Sequence, residues 1–206
     1  MQRYALNDPL VNVLIPLWEP ATRIASGTHG GRSYLSDGVA IVFLTQEQRD
    51  AVLLGIGLSC REGLWTAPSP DWAGWVSPSK REPRAIQTDW GEAPELSSQF
   101  PQEADLVPMR MTWFCYGWGA HLVHLAVTSE GVAAFDGKYA PLWAPYTGAD
   151  LRWWRDGEGM EGLVGLGWGG ATDLLLAGLR PQAGLTWRDA VREAFGSVLE
   201  EVAHVH

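Results

Sequence analysis

Hydrophobic residues dominate the stretch from Met111 to Gly137, interrupted by two short glycine-containing breaks. The pattern predicts an antiparallel meander of three strands: Met111 to Tyr116, Ala120 to Val127 and Val132 to Phe135. Gly117-Trp118-Gly119 and Thr128-Ser129-Glu130-Gly131 supply the turns, each with a glycine where a tight hairpin needs positive φ. A second strong pattern lies near the C-terminus. Trp187, Ala190, Val191, Ala194, Phe195, Val198, Leu199 and Val202 form one apolar stripe, and Thr186 is placed to cap it. This predicts an amphipathic helix packed on the sheet.

Local signals fill in the N-terminal part. Asp8 caps a helix with Pro9 at its first position, and Leu10, Val11, Leu14 and Leu17 share a face. Pro16 is expected to kink or end that helix near Ile15. Ser26 to Arg32 reads as a flexible loop and Asp37-Gly38 as a turn. Val39 to Leu44 is a continuous apolar run that fits a strand buried on both faces. Thr45 and Gln48 spell a capping box for a helix reaching about Leu54, with Gly55 as its stop. Ile56 to Cys60 is a possible strand. Downstream, Lys138 to Thr147 reads as a loop, and Asp150 to Trp154 and Gly162 to Trp168 as strands. Leu174 to Leu179 fits strand or helix equally.

Together these elements predict an α+β fold: a largely antiparallel sheet built on the central meander, short N-terminal helices and a docked C-terminal helix. Residues 1–62 form an N-terminal αβ unit and residues 108–206 hold the meander and last helix. Between them, residues 63–107 form a Trp/Pro-rich acidic excursion, and all three parts also fit one domain. Trp65, Trp72, Trp75 and Trp90 alternate with prolines there, and from Asp89 to Asp105 there are five acids and no base. Long irregular segments of this kind are often functional.

Bulk properties narrow the function classes. The chain has 206 residues and a net charge of −9, which disfavours nonspecific nucleic-acid binding because that affinity comes from cations neutralising phosphates. The cluster Lys80, Arg81 and Arg84 sits beside Glu82 and reads as a solvated loop. Two cysteines are too few for a disulfide framework, and Cys60 and Cys115 read as reduced and buried. The apolar run from Val11 to Leu17 is short for a secretory leader and no window reaches membrane-span length. The expectation is a cytoplasmic protein. Twelve tryptophans are the outlying number; some serve the core, and others suit contact with a partner.

Candidate chemistry is thin. Cys115 with His121 or His124 as base and Asp136 as orienter makes a possible nucleophilic set for a Cys-dependent hydrolase. Strand geometry places His121 and His124 on opposite faces, so they are not expected to share a metal, and aromatic neighbours are expected to bury Cys115. Gly165, Gly167 and Gly170 spell G-x-G-x-x-G, but the context suits a glycine-rich hairpin better than a dinucleotide site. Thr28-His29-Gly30-Gly31-Arg32 offers amides and a guanidinium to an anion, the plainer reading being a flexible loop. Glu92, Glu95 and Glu103 read as solvated charges. No cofactor and no metal is expected.

The leading expectation is a non-catalytic binding or regulatory protein. Trp72, Trp75 and Trp90 would be its contact platforms, and the acidic run would favour a protein partner with a basic surface. The Cys-dependent enzyme is one alternative and a carbohydrate- or nucleic-acid-binding module another. Asp37-Gly38 and Asp136-Gly137 lie 99 residues apart. This spacing resembles the repeat of the sliding clamps of DNA polymerases, with only the dipeptide shared. That resemblance implies two superposable halves and a ring-forming oligomer.

Overall fold

A computed structural model describes residues 8–18, 24–56, 74–76, 101, 105–118, 121–129, 131–147, 149–155, 161–180, 187 and 189. Among the described residues ten strands run in chain order: β1 (Ile24–His29), β2 (Arg32–Ser36), β3 (Ala40–Leu44), β4 (Gly74–Val76), β5 (Val107–Trp118), β6 (His121–Thr128), β7 (Gly131–Asp136), β8 (Leu151–Arg155), β9 (Glu161–Leu166) and β10 (Thr172–Ala177). They form one sheet in the order β4-β1-β2-β3-β10-β9-β8-β5-β6-β7. The pairings are antiparallel. The helices α1 (Pro9–Trp18), α2 (Gln46–Gly55) and α3 (Ala140–Trp143) accompany it. The chain is therefore α+β with a mainly antiparallel sheet, and the meander β5-β6-β7 forms one end of that sheet.

Side-chain alternation sorts the strands between two faces. Leu35, Ala40, Val42, Leu44, Leu163, Leu174 and Leu176 join the main core with α1, α2 and α3. Tyr34, Ile41, Phe43, Val164 and Leu175 point to a second cluster on the other face. β3 lies between β2 and β10, buried along its whole length, which is why its sequence shows no polar alternation. On the meander, Ala133 and Phe135 face the main core, while Val123, Leu125 and Ala134 form a third cluster with Trp187.

The sheet is curled. Beyond β10, the Leu179 N–H donates to the carbonyl of Ala134 on β7 at 2.8 Å, although β7 ends the strand order five strands from β10. Trp187 reinforces the closure by donating from Nε1 to the Leu179 carbonyl at 2.7 Å. Trp187 and Asp189 have helical backbone. The rest of the predicted C-terminal helix lies outside the described residues.

Several expectations are corrected. α1 continues past Pro16 to Trp18. An interior proline costs about 3 kcal/mol, but Pro16 sits in the last turn, and continuing the helix buries Trp18 completely. Ser26 to Arg32 is not a flexible loop; it is the β1–β2 hairpin, closed by Gly30 and Gly31 at φ of 57° and 77°. Two consecutive positive φ values make the turn that best matches strand twist. The expected loop after Asp136 folds into a 3-10 turn (Gly137–Tyr139) and then α3. Leu174 to Ala177, which fits strand or helix in sequence, belongs to strand β10. Gly74–Val76 adds a strand where none was expected, paired with β1 at the sheet edge. Ile56 caps the end of α2, and the remainder of the strand expected over Ile56 to Cys60 lies outside the described residues.

The two Asp-Gly dipeptides do different jobs. Asp37-Gly38 links β2 to β3, with Gly38 at φ 90° and Asp37 Oδ1 accepting from the N–H groups of Val39 and Ala40. Asp136 caps the 3-10 turn by accepting from the Lys138 N–H at 3.0 Å. Tyr139 joins the two regions by donating its hydroxyl to Asp37 Oδ2 at 2.6 Å. Burial, together with that carboxylate, pushes the Tyr139 pKa well up.

Candidate functional site

The capping box that starts α2 also builds the wall of a cleft. The Thr45 side chain accepts from the Gln48 N–H at 3.1 Å, and Gln48 Oε1 accepts from the Thr45 N–H at 2.9 Å. The spare Gln48 amide donates to Asp8 Oδ2 at 2.7 Å, while Asp8 Oδ1 caps α1 through the N–H groups of Leu10 and Val11. Burial pushes the Asp8 carboxyl up, but these donors outweigh it and hold its pKa below the ordinary value. The starts of α1 and α2 are thereby fastened to each other.

Beside this junction lies an open cleft of about 650 Å³. Its walls come from five separated parts of the chain: the β1–β2 hairpin (Thr28, Gly31, Arg32, Ser33), the end of β3 with the start of α2 (Phe43 to Gln46, Gln48, Arg49), Leu10 of α1, Tyr146 after α3, and Asp173 of β10. That volume lies within the range typical of small-molecule sites.

Arg32 is held from three sides. Its Nη1 donates to the Thr172 carbonyl at 2.7 Å, its Nη2 pairs with Asp173 Oδ1, and its guanidinium lies 4.8 Å from the Phe43 ring centre. Gly167 makes room for this arrangement, since a Cβ there would fall 1.6 Å from Asp173 Oδ2. Gly165 does the same for Tyr146, whose ring would lie 2.8 Å from an added Cβ. The third glycine of the motif, Gly170, takes φ 78° in the turn between β9 and β10. The G-x-G-x-x-G spacing thus serves a hairpin and the close approach of two side chains. At the tip of that hairpin Trp168 is fully exposed.

Arg49 is the unexpected member. It is only 4% exposed yet lines the cleft. Its Nε and Nη2 both donate to one oxygen, Asp50 Oδ1, at 3.2 and 3.1 Å. Burial raises the Asp50 pKa, and the guanidinium offsets part of that rise. Tyr146 also lines the cleft; burial first, and the Asp173 charge second, push its hydroxyl up to about 12. It stays a protonated donor at neutral pH.

The residues singled out in the sequence are distributed elsewhere. Cys115 and His124 are direct cross-strand partners on β5 and β6. Asp136 is opposite Val123, whereas Phe135 is opposite His124, so Asp136 belongs to the other face and is occupied in its cap. The structure brings together two of the four residues, not the set. His124 packs its ring edge against Trp143, with centroids 5.6 Å apart. Cys115 is exposed, contrary to expectation. A register shift interrupts the β5–β6 pairing between Met111 and Cys115. His121 pairs with Trp118 on the backbone. Trp75 lies on β4 opposite Ala25; Trp72 and Trp90 lie outside the described residues. Among the described residues no group of three or more His, Cys, Asp or Glu side chains is placed to hold a metal, and no helix is long and apolar enough to cross a membrane.

Sequence reasoning touched the cleft only through the Thr28–Arg32 segment and missed Phe43, Arg49, Tyr146 and Asp173. One signal was available. Arg49 falls on the stripe Arg49-Val52-Leu53-Ile56, all of it buried, so a charge occupies an apolar helix face. No family model, no curated protein and no solved structure matches this chain.

Proposed function

We propose that this chain is a non-catalytic binding protein and that its ligand is a small molecule held in the cleft between the β1–β2 hairpin and the start of α2. The observation that carries this reading is the make-up of the cleft: an open space of about 650 Å³ whose polar groups converge from four chain segments and are held in place. Preorganised polar groups among apolar surfaces such as Phe43 and Leu10 are what a specific ligand site requires. A fragment screen by ligand-observed NMR tests it, run on the wild type and on Ser33→Phe, which fills the cleft. Binders lost in Ser33→Phe support the site. A set of binders untouched by the substitution places the ligand elsewhere.

A second reading is favoured by β4. It carries Trp75 to the edge of the sheet, where a strand offers hydrogen-bonding groups to an incoming chain. In this reading Trp72, Trp75 and Trp90, with the acidic run, engage a protein partner of basic surface. Replacing the three tryptophans by alanine should abolish capture of such a partner while cleft ligands still bind.

A further inference from the structure

We infer that the cleft ligand carries an oxyanion, a carboxylate or phosphate group, which Arg32 and Arg49 receive and for which the Asp173 carboxylate is the internal stand-in. This rests on the cleft being the binding site. The chain as a whole is strongly acidic, at −9. The cleft is different: the charged side chains lining it are two guanidiniums and one carboxylate. The positive end of α2 also opens onto it, through Thr45 and Gln46.

Each guanidinium has donors to spare. An arginine has five N–H groups. The bonds described for Arg32 use Nη1 and Nη2 once each, to Thr172 and Asp173. Those of Arg49 use Nε and Nη2 on a single oxygen, leaving the Nη1 donors uncommitted among the described residues. Keeping a buried cation in a cleft wall on one shared acceptor is costly unless something further meets it. The Arg32–Asp173 pair has the complementary logic. A carboxylate already sits on Arg32, in the stacked and fork-shaped setting that suits carboxylate and phosphate oxygens. Asp173 is about one-third exposed, so it has a route to solvent when a ligand oxyanion takes its place. Phe43, Leu10 and Tyr146 then face the rest of the ligand, which favours an organic anion with an apolar or aromatic body over a bare ion.

Benzoate and inorganic phosphate are suitable probes, titrated at constant ionic strength and followed by NMR shifts of the full chain. Benzoate should bind in the cleft more tightly than phosphate. Arg32→Gln should weaken it about tenfold or more, the scale of a charge-assisted contact. Asp173→Asn should tighten it, because the competing carboxylate is gone; general damage to the fold has no reason to strengthen binding. Benzamide, neutral and similar in shape, separates the two readings. If benzamide or other neutral fragments occupy the cleft as well as benzoate does, the oxyanion inference is overturned and the cleft reading stands. If Asp173→Asn weakens benzoate, the stand-in role is overturned. If neither anions nor neutral fragments enter the cleft, both readings fall.

Discussion

The two ends of the sheet use their polar residues in opposite ways. Around β1, β2, β3 and β10, arginine and aspartate side chains converge on open space, backed by Phe43 and a helix start. Along the meander, the Cys, His and Asp that look more reactive in sequence are kept from meeting as a set. Asp136 caps a turn, His124 packs against Trp143, and Cys115 lies on the surface. Reactive residue types are therefore a poor guide by themselves. What distinguishes the ends is whether the groups share a face and whether their bonds are already spoken for.

The contrast can be broken most forcefully at Phe135, which is fully buried where the meander meets α3. Phe135→Ala should cost about 3–5 kcal/mol, read by denaturant unfolding. A loss under 1 kcal/mol would mean that the meander is not scaffold. Next comes Gly162, where an added Cβ would lie 2.6 Å from the Leu176 carbonyl oxygen and 2.5 Å from Trp154 Nε1. Backbone cannot step aside as a side-chain tip can, so Gly162→Ala should cost about 1–3 kcal/mol. By comparison, the nearest atoms to a Cβ at Gly167 are those of the Asp173 carboxylate, a side-chain end that can turn away; Gly167→Ala should release Arg32 and leave thermal stability close to wild type.

A smaller effect belongs to the cleft end. The depressed Asp8 pKa means that its contribution is present above the ordinary value of 3.8 and is lost as pH falls through the lower folded value. Asn caps helices as well as Asp, but its single amide oxygen cannot both cap α1 and accept from the Gln48 amide, so Asp8→Asn should flatten the acid side of the stability–pH curve and cost about 1 kcal/mol at pH 7 for the lost Gln48 bond. An unchanged acid limb would show that Asp8 is not coupled to folding. Smallest of all, Cys115→Ser should change stability by less than about 0.5 kcal/mol, as expected for an exposed site. Peptide mapping after brief alkylation of native protein should find Cys115 modified, and protection of it would place the thiol with the packed meander after all.

The contrast also shows what a sequence can disclose. The meander strands, the run at β3 and the Thr45–Gln48 capping box are local patterns, and each appears close to where its residues predict it, although β5 runs from Val107 through the expected turn residues Gly117 and Trp118. The β1–β2 hairpin was obscured because its strands are polar: Ser26, Thr28 and Ser33 suggest a loop, yet they pair in register across the hairpin, and only Ser26 is buried by it. The cleft was obscured for a different reason. Arg32 and Asp173 meet because β3 pairs with β10 and β2 with β3, a relation fixed by the whole sheet and invisible in any window. Arg49 alone could be suspected beforehand, from its place on an apolar helix face.

The pairing of β3 with β10 has a consequence for how the chain is made. A ribosome delivers β1, β2 and β3 in quick succession, but β10, the strand that covers the open side of β3, begins 128 residues after Leu44. Until then Ala40–Leu44, five apolar residues in a row, has a neighbour on one side and a bare ladder on the other. Non-local pairing of this sort slows folding and leaves sticky edges in the meantime. The nascent chain therefore has a long interval in which β3 is open to misassociation, and a chaperone that shields that edge would raise the yield of native protein.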